Sequence, residues 1–125
     1  MEKLVFFVDD DKMILNLLEY TLKNRRNYDV RTFHSGEECL MNLGLKPDLI
    51  VLDHIFKNNG IPKKSGMEIL REIRKIDKTL PVVILTILED DKLADEFIAN
   101  GAVKFIPKND YFIDTLMDAI DKQFS

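Results

Sequence analysis

Residues 4–15 read LVFFVDDDKMIL, five apolar residues followed by Asp9, Asp10 and Asp11. Three adjacent like charges repel one another. A helix N-terminus accounts for one or two of them, because Asp is a good N-cap and acids suit the first-turn dipole. The others call for a cation. Three further residues with chemical potential end other apolar runs: Asp53 closes DLIVLD, Thr86 closes PVVILT, and Lys108 follows AVKFIP. Asp9, Asp10 and Asp53, if brought together, cannot all stay ionised without a counter-charge. A hard divalent ion such as Mg²⁺ supplies it, since it favours carboxylates, waters and phosphate oxygens. Lys108 and Thr86 are then suited to hold the oxygens of an anion. An Asp beside Mg²⁺ and a cationic clamp is a plausible phosphoryl acceptor, because carboxylates act as nucleophiles toward phosphorus. Asp9 and Asp10 read as the metal-binding pair, and Asp11 as the cap of a helix whose first residue is Lys12.

The elements that must gather these residues follow from periodicity. The apolar runs are 4–8, 28–33, 48–52, 81–86 and 102–106. Three are nearly continuous, as parallel strands covered on both faces should be. Helical spacing links Ile14, Leu15, Leu18 and Leu22, then Leu70, Ile73 and Ile76. It also links Leu93, Ala94, Phe97 and Ile98, and finally Phe112, Leu116, Ile120 and Phe124. Ser35 and Glu38 fit a capping box, and Gly101 fits the end of the fourth helix. The alternation predicts a doubly wound (βα)5 fold, a flavodoxin-like three-layer sandwich with strand order 2-1-3-4-5. Its ligand crevice lies beyond the carboxyl ends of strands 1 and 3. That edge is where Asp9, Asp10, Asp53, Thr86 and Lys108 fall.

The totals agree with one domain over residues 1–125. The net charge of −4 has acids and bases spread along the chain, which gives no nucleic-acid footprint. The single Cys39 cannot form an internal disulfide and reads as core. No apolar run approaches the ~20 residues that span a bilayer, and the chain enters a strand at once, so no signal peptide is expected. The expectation is a cytoplasmic protein.

Five pieces, VDDDKMIL, PDLIVLD, SGMEILREIR, PVVILT and NGAVKFIPKN, together resemble the receiver domain of two-component response regulators, the CheY-like family, over essentially the whole chain. The resemblance implies that Asp53 takes a phosphoryl group from a phosphohistidine on a sensor histidine kinase or histidine phosphotransfer protein. It implies Mg²⁺ held by Asp10, by Asp9 directly or through water, by Asp53 and by the backbone carbonyl of Ile55. Lys108 would pair with the phosphoryl group and Thr86 would move toward it. Phe105 occupies the aromatic switch position. The response would surface on helix 4, strand 5 and helix 5, a face that also admits a homodimer. Ile55 and Leu88 occupy the two positions that flank the path of hydrolytic water, and both are apolar. The expectation is a receiver with no output domain in this chain, either standing alone or part of a longer protein, and no direct nucleic-acid or membrane contact is expected.

The chain departs from the family pattern in four places. The loop after Asp53 is long, with NNGIPKK inserted and 56–64 expected to be exposed and mobile. Ile87 follows Thr86 where a small residue is usual, Asn109 replaces a common proline, and Pro107 precedes Lys108. A cis bond after Lys108 is not expected, at a cost of roughly 3 kcal/mol without proline. Lys57, Lys63 and Lys64 form a basic loop; His34 is expected on the surface, and His54 is expected to point away from the Asp53 carboxylate. Two other readings compete. One is a pseudo-receiver scaffold that is never phosphorylated. The other follows from FFVDDD, which superficially resembles the start of haloacid-dehalogenase-like phosphatases, with Asp9 as nucleophile and Asp11 as acid/base. That pattern expects Thr or Val where Met13 stands, and leaves Asp53 unexplained.

Overall fold

The computed structural model describes residues 2–25, 27–56 and 63–125. Strands β1 (Lys3–Val8), β2 (Tyr28–Phe33), β3 (Leu49–Leu52), β4 (Val82–Thr86) and β5 (Lys104–Pro107) alternate with five helices. These are α1 (Lys12–Lys23), α2 (Gly36–Met41), α3 (Gly66–Ile76), α4 (Asp91–Ala99) and α5 (Phe112–Gln123), with one 3-10 turn at Leu43–Leu45. Every strand pair is parallel and the order is β2-β1-β3-β4-β5. This is the predicted fold and order. Among the described residues, no helix is long and apolar enough to cross a membrane.

Strand alternation sorts the core into two layers. Phe6 and Val8, Ile50 and Leu52, and Val82 and Ile84 face the side covered by α3 and α4, packing with Ile69, Leu70, Ile73 and Phe97. Val5 and Phe7, Leu49 and Val51, and Val83 and Leu85 face the other side, against Leu15, Leu18 and Leu22 of α1 and Leu116 and Ile120 of α5. Every residue of β3 and β4 is buried, which explains their unbroken apolar runs. Each large aliphatic side chain so removed from water contributes roughly 1.5–3 kcal/mol.

Some helical positions depart from the expected stripes. Ile76 and Ile98 are exposed. At about 100° per residue, Ile98 has turned away from its neighbour Phe97, which is fully buried, while Ile76 is the last residue of α3. β5 starts two residues later than its apolar run. The end of α4 holds those residues: Gly101 takes φ +103, and Ala102 N–H still donates to the Phe97 carbonyl at 3.0 Å. A positive φ suits glycine, which has no Cβ to clash. Ser35 Oγ accepts from Glu38 N–H at 3.2 Å as expected, while the complete reciprocal box forms at Ser65 and Glu68, at the start of α3.

Candidate functional site

The strand phases that build the two layers continue one or two residues past the strand ends, and this decides what meets. Asp9 is in phase with Val5 and Phe7. Asp53 follows Leu49 and Val51, Ile87 follows Val83 and Leu85, and Lys108 follows Ile106. All four belong to the α1/α5 side, and all four line one cleft of about 230 Å³ with Asp10, Asp11, Ile14 and Ile55. His54, Thr86 and Phe105 have the opposite phase and belong to the α4 side.

Within the cleft the carboxylates are held oxygen by oxygen. Asp9 is 3% exposed and Asp53 6%. Asp9 Oδ1 accepts from Asp11 N–H at 2.9 Å, and its Oδ2 accepts from Lys108 Nζ at 2.6 Å. Asp53 Oδ1 accepts from His54 N–H at 2.8 Å, which leaves Oδ2 facing Lys108 Nζ at 3.5 Å. The Asp53 carboxyl is pushed up to about 6, first by burial and next by the charge of Asp9, against the opposing pull of Lys108 and His54 N–H. Asp9, Asp10 and Asp53 each offer an oxygen within 4.8 Å of the others. The donor set is all oxygen and rich in negative charge, with one ammonium in contact, and so fits a hard divalent cation.

Asp11 stands apart from this group in role. Its Oδ1 accepts from Met13 and Ile14 N–H at 2.9 and 3.3 Å, capping α1. A carboxylate so engaged is poorly placed for the acid/base work of a dehalogenase-like phosphatase. Thr86 is fully buried; it reaches the same sheet edge but does not line the cleft. Its Oγ1 lies 3.5 Å from Leu88 N–H, and its carbonyl accepts from Lys108 N–H at 2.7 Å. Phe105 is half-buried, 5.8 Å from Phe97 ring to ring, on a groove bordered by Glu89, Asp90, Asp91, Ala94 and Pro107. Ile55 is 53% exposed and Ile87 69%, as the rim of the cleft, and Leu88 is half-buried. No cis peptide occurs among the described residues, the Lys108–Asn109 bond included.

The remaining candidates take structural places. His34 is exposed. His54 turns away from Asp53 and sets its ring edge-on to Phe97, 4.9 Å between centroids at 90°; burial holds its imidazole below the ordinary histidine range. Cys39 is fully buried, and burial pushes its thiol up to about 12. Residues 57–62, which carry Lys57 and most of the NNGIPKK insertion, lie outside the described residues. Lys63 is exposed. Lys64 is anchored: its N–H donates to Glu37 Oε2 at 2.9 Å and its Nζ pairs with Glu72 at 2.8 Å. The backbone donors to Asp9 and Asp53, and the part of Ile14 in the cleft, are not marked by residue type. Strand phase was the signal that could have found Ile14's neighbours.

Comparisons with known proteins point one way. The family model described as response regulator receiver domain matches residues 5–121. The alkaline phosphatase synthesis transcriptional regulatory protein PhoP of Bacillus subtilis is 38% identical over 92 residues, covering 73% of this chain. The chain spans 36% of that relative's length. The BeF3-activated receiver domain of DrrB superposes with a TM-score of 0.84 at 28% identity, covering 99% of this chain and 98% of that one. The chemotaxis response regulator CheY4 of Vibrio cholerae gives 0.82 at 25% identity, covering 98% and 99%.

Proposed function

The chain belongs to the response regulator receiver family, and from that premise we propose that it is a phosphoacceptor switch of a two-component phosphorelay, with Asp53 as acceptor. The observation that carries this reading is the disposition of Asp53: buried, one oxygen pinned by His54 N–H, the other turned to Lys108 inside a group of three acids. Transfer from a phosphohistidine breaks its N–P bond and forms an O–P bond at the Asp53 oxygen facing the cleft. Lys108 neutralises charge gathering on the phosphoryl oxygens, and the walls of the cleft limit water. Asp9, Asp10, Asp53 and the Ile55 carbonyl would hold Mg²⁺, which when bound supplies charge neutralisation at the phosphoryl oxygens.

The donor would be a protein, a sensor histidine kinase or a histidine phosphotransfer protein. Ile14, Ile55 and Ile87 give the cleft an apolar rim, and exposed Met13 and Leu17 lie on the adjoining helix α1. Apolar surface of this kind suits a packed protein partner better than a small phosphate ester. Thr86 and Phe105, on the α4 side, are the switch pair, and α4, β5 and α5 are the surface that responds, also suited to a homodimer. The domain acts on its own phosphoryl group without turning over an external substrate, forms a single receiver unit, and works in the cytoplasm.

Incubation with Mg²⁺ and acetyl phosphate, followed by intact-mass measurement, tests the assignment. Wild type should gain one phosphoryl group and Asp53→Ala none. Equal labelling of both would remove Asp53 as acceptor, and no labelling of either, by small donor or kinase, would favour the scaffold reading.

A further inference from the structure

His54 joins two parts of the molecule, the acceptor and the helix α4. Its main chain belongs to the acceptor: its N–H is the donor that holds Asp53 Oδ1 at 2.8 Å. Its side chain belongs to α4. Being in phase with Ile50 and Leu52, it enters the α3/α4 layer, where its ring meets the fully buried Phe97 edge-on. Phe97 in turn packs on Phe105, tilted by 34°. The buried Nδ1 of the imidazole has no hydrogen-bond partner among the described residues. A buried polar atom left unpaired is disfavoured, so hydrogen bonding at Nδ1 does not explain the ring's place, whereas packing on Phe97 does.

We propose that His54 is a positioning residue for the acceptor: the seat of its ring against Phe97 fixes the peptide unit that orients the Asp53 carboxylate, so that α4 and the acceptor are set by one residue. This rests on the phosphoacceptor reading and adds a second link beside Thr86. Any such coupling is reciprocal. An anion on Asp53 shifts α4 through the His54 peptide, and a change in the seat of Phe97 alters how well Asp53 Oδ2 is presented to Lys108.

The test compares wild type, His54→Phe and His54→Ala, all of which keep the backbone N–H. Beryllofluoride with Mg²⁺ is the probe of the acceptor, and amide hydrogen exchange at residues 91–99 is the readout of α4. His54→Phe keeps a ring and should bind the probe within about twofold of wild type, whereas His54→Ala should bind at least about fivefold more weakly, the low end of measured site–site coupling. In His54→Ala the exchange at α4 should no longer respond to the probe, although the protein still melts cooperatively. Wild-type binding and response in His54→Ala would overturn the proposal, as would loss of both in His54→Phe. If His54→Ala does not fold, Phe97→Leu tests the other side of the contact, with the same losses expected and wild-type behaviour overturning it. If wild type itself takes no beryllofluoride, the phosphoacceptor reading fails. The free protein then decides the positioning role: faster exchange of the His54 amide and of α4 in His54→Ala than in His54→Phe supports it, and equal exchange overturns it.

Discussion

Asp53 is a carboxyl in a setting that opposes its charge. Its folded value of about 6 lies above the ordinary 3.8, so the native state binds the proton more tightly than the unfolded chain does. The stability from this group is therefore complete below about pH 4 and is lost as pH rises through about 6. Metal-free Asp53→Asn should melt higher than metal-free wild type near neutral pH, with the gap closing as the solution is acidified. The gain is on the order of 1–3 kcal/mol, since each tenfold change in proton affinity is worth about 1.4 kcal/mol. Thermal melts across that range check it, and a gap that widened in acid would contradict the sign. A second prediction concerns the lifetime of the phosphoryl group. Ile55 and Ile87 rim the cleft and Leu88 is half-buried beside Thr86; none can orient a water by a hydrogen bond. Self-dephosphorylation should accordingly be slow. Ile55→Asn combined with Leu88→Glu should speed it about tenfold or more, the equivalent of ~1.4 kcal/mol in the barrier. The decay of phospho-Asp53 after donor removal is the measurement, and equal decay in the two proteins would show that water access is set elsewhere.

At the scale of elements, the start of α3 is fitted to the backbone of Asp53 and His54. A Cβ on Gly66 would stand 2.3 Å from the Asp53 carbonyl oxygen and 2.7 Å from the His54 Cα, and Gly66 N–H donates to the His54 carbonyl at 2.7 Å. Both clashes are with backbone, which yields only by moving the β3 end. Gly66→Ala should cost about 1–3 kcal/mol as an overpacking change and weaken Mg²⁺ binding as well, whereas an exposed substitution on α3 should do neither. Denaturant unfolding and Mg²⁺ titration read the two effects. The elements were legible because their causes are local. Unbroken apolar runs mark β3 and β4, helical spacing marks α1 and α5, and Asp11 and Ser35 mark helix starts. The type of each site residue was legible too. What type alone does not carry is direction. Thr86 ends a strand as Asp53 does, yet it faces the other layer, because the two stand at opposite phases of the alternation. The exposed Ile98 shows the same limit in helices, where one residue of rotation separates it from the buried Phe97. The Lys64 anchor was hidden for another reason: its partners Glu37 and Glu72 are distant in sequence.

For the molecule as a whole, the balance of charge at the sheet edge predicts a response to metal. Binding confined to the native state raises stability by RT ln(1 + [L]/Kd), about 2.7 kcal/mol at a hundredfold excess over Kd. Mg²⁺ should therefore raise the melting temperature of wild type, and Asp10→Asn should lose most of that increment. An unchanged increment would remove Asp10 from the ligand set. The far end of the molecule is tied independently. Asp121 of α5 accepts from Tyr28 Oη at 2.9 Å and pairs with Arg25, while Lys3 Nζ lies 5.4 Å above the Phe124 ring. The metal increment should thus arise at one end of the sheet and leave exchange around α5's last turn unaltered. The two-sided division of the strand ends has a further consequence, one of traffic. The cleft holding Asp53 and the groove beside Phe105 share no lining residue, so on the proposed function a donor seated over the first need not cover the second. Loading and reading would then not compete for the same ground. A reader of the α4 side could remain in place while the acceptor is recharged, and its occupancy would follow the phosphorylated fraction through successive cycles without having to leave between them.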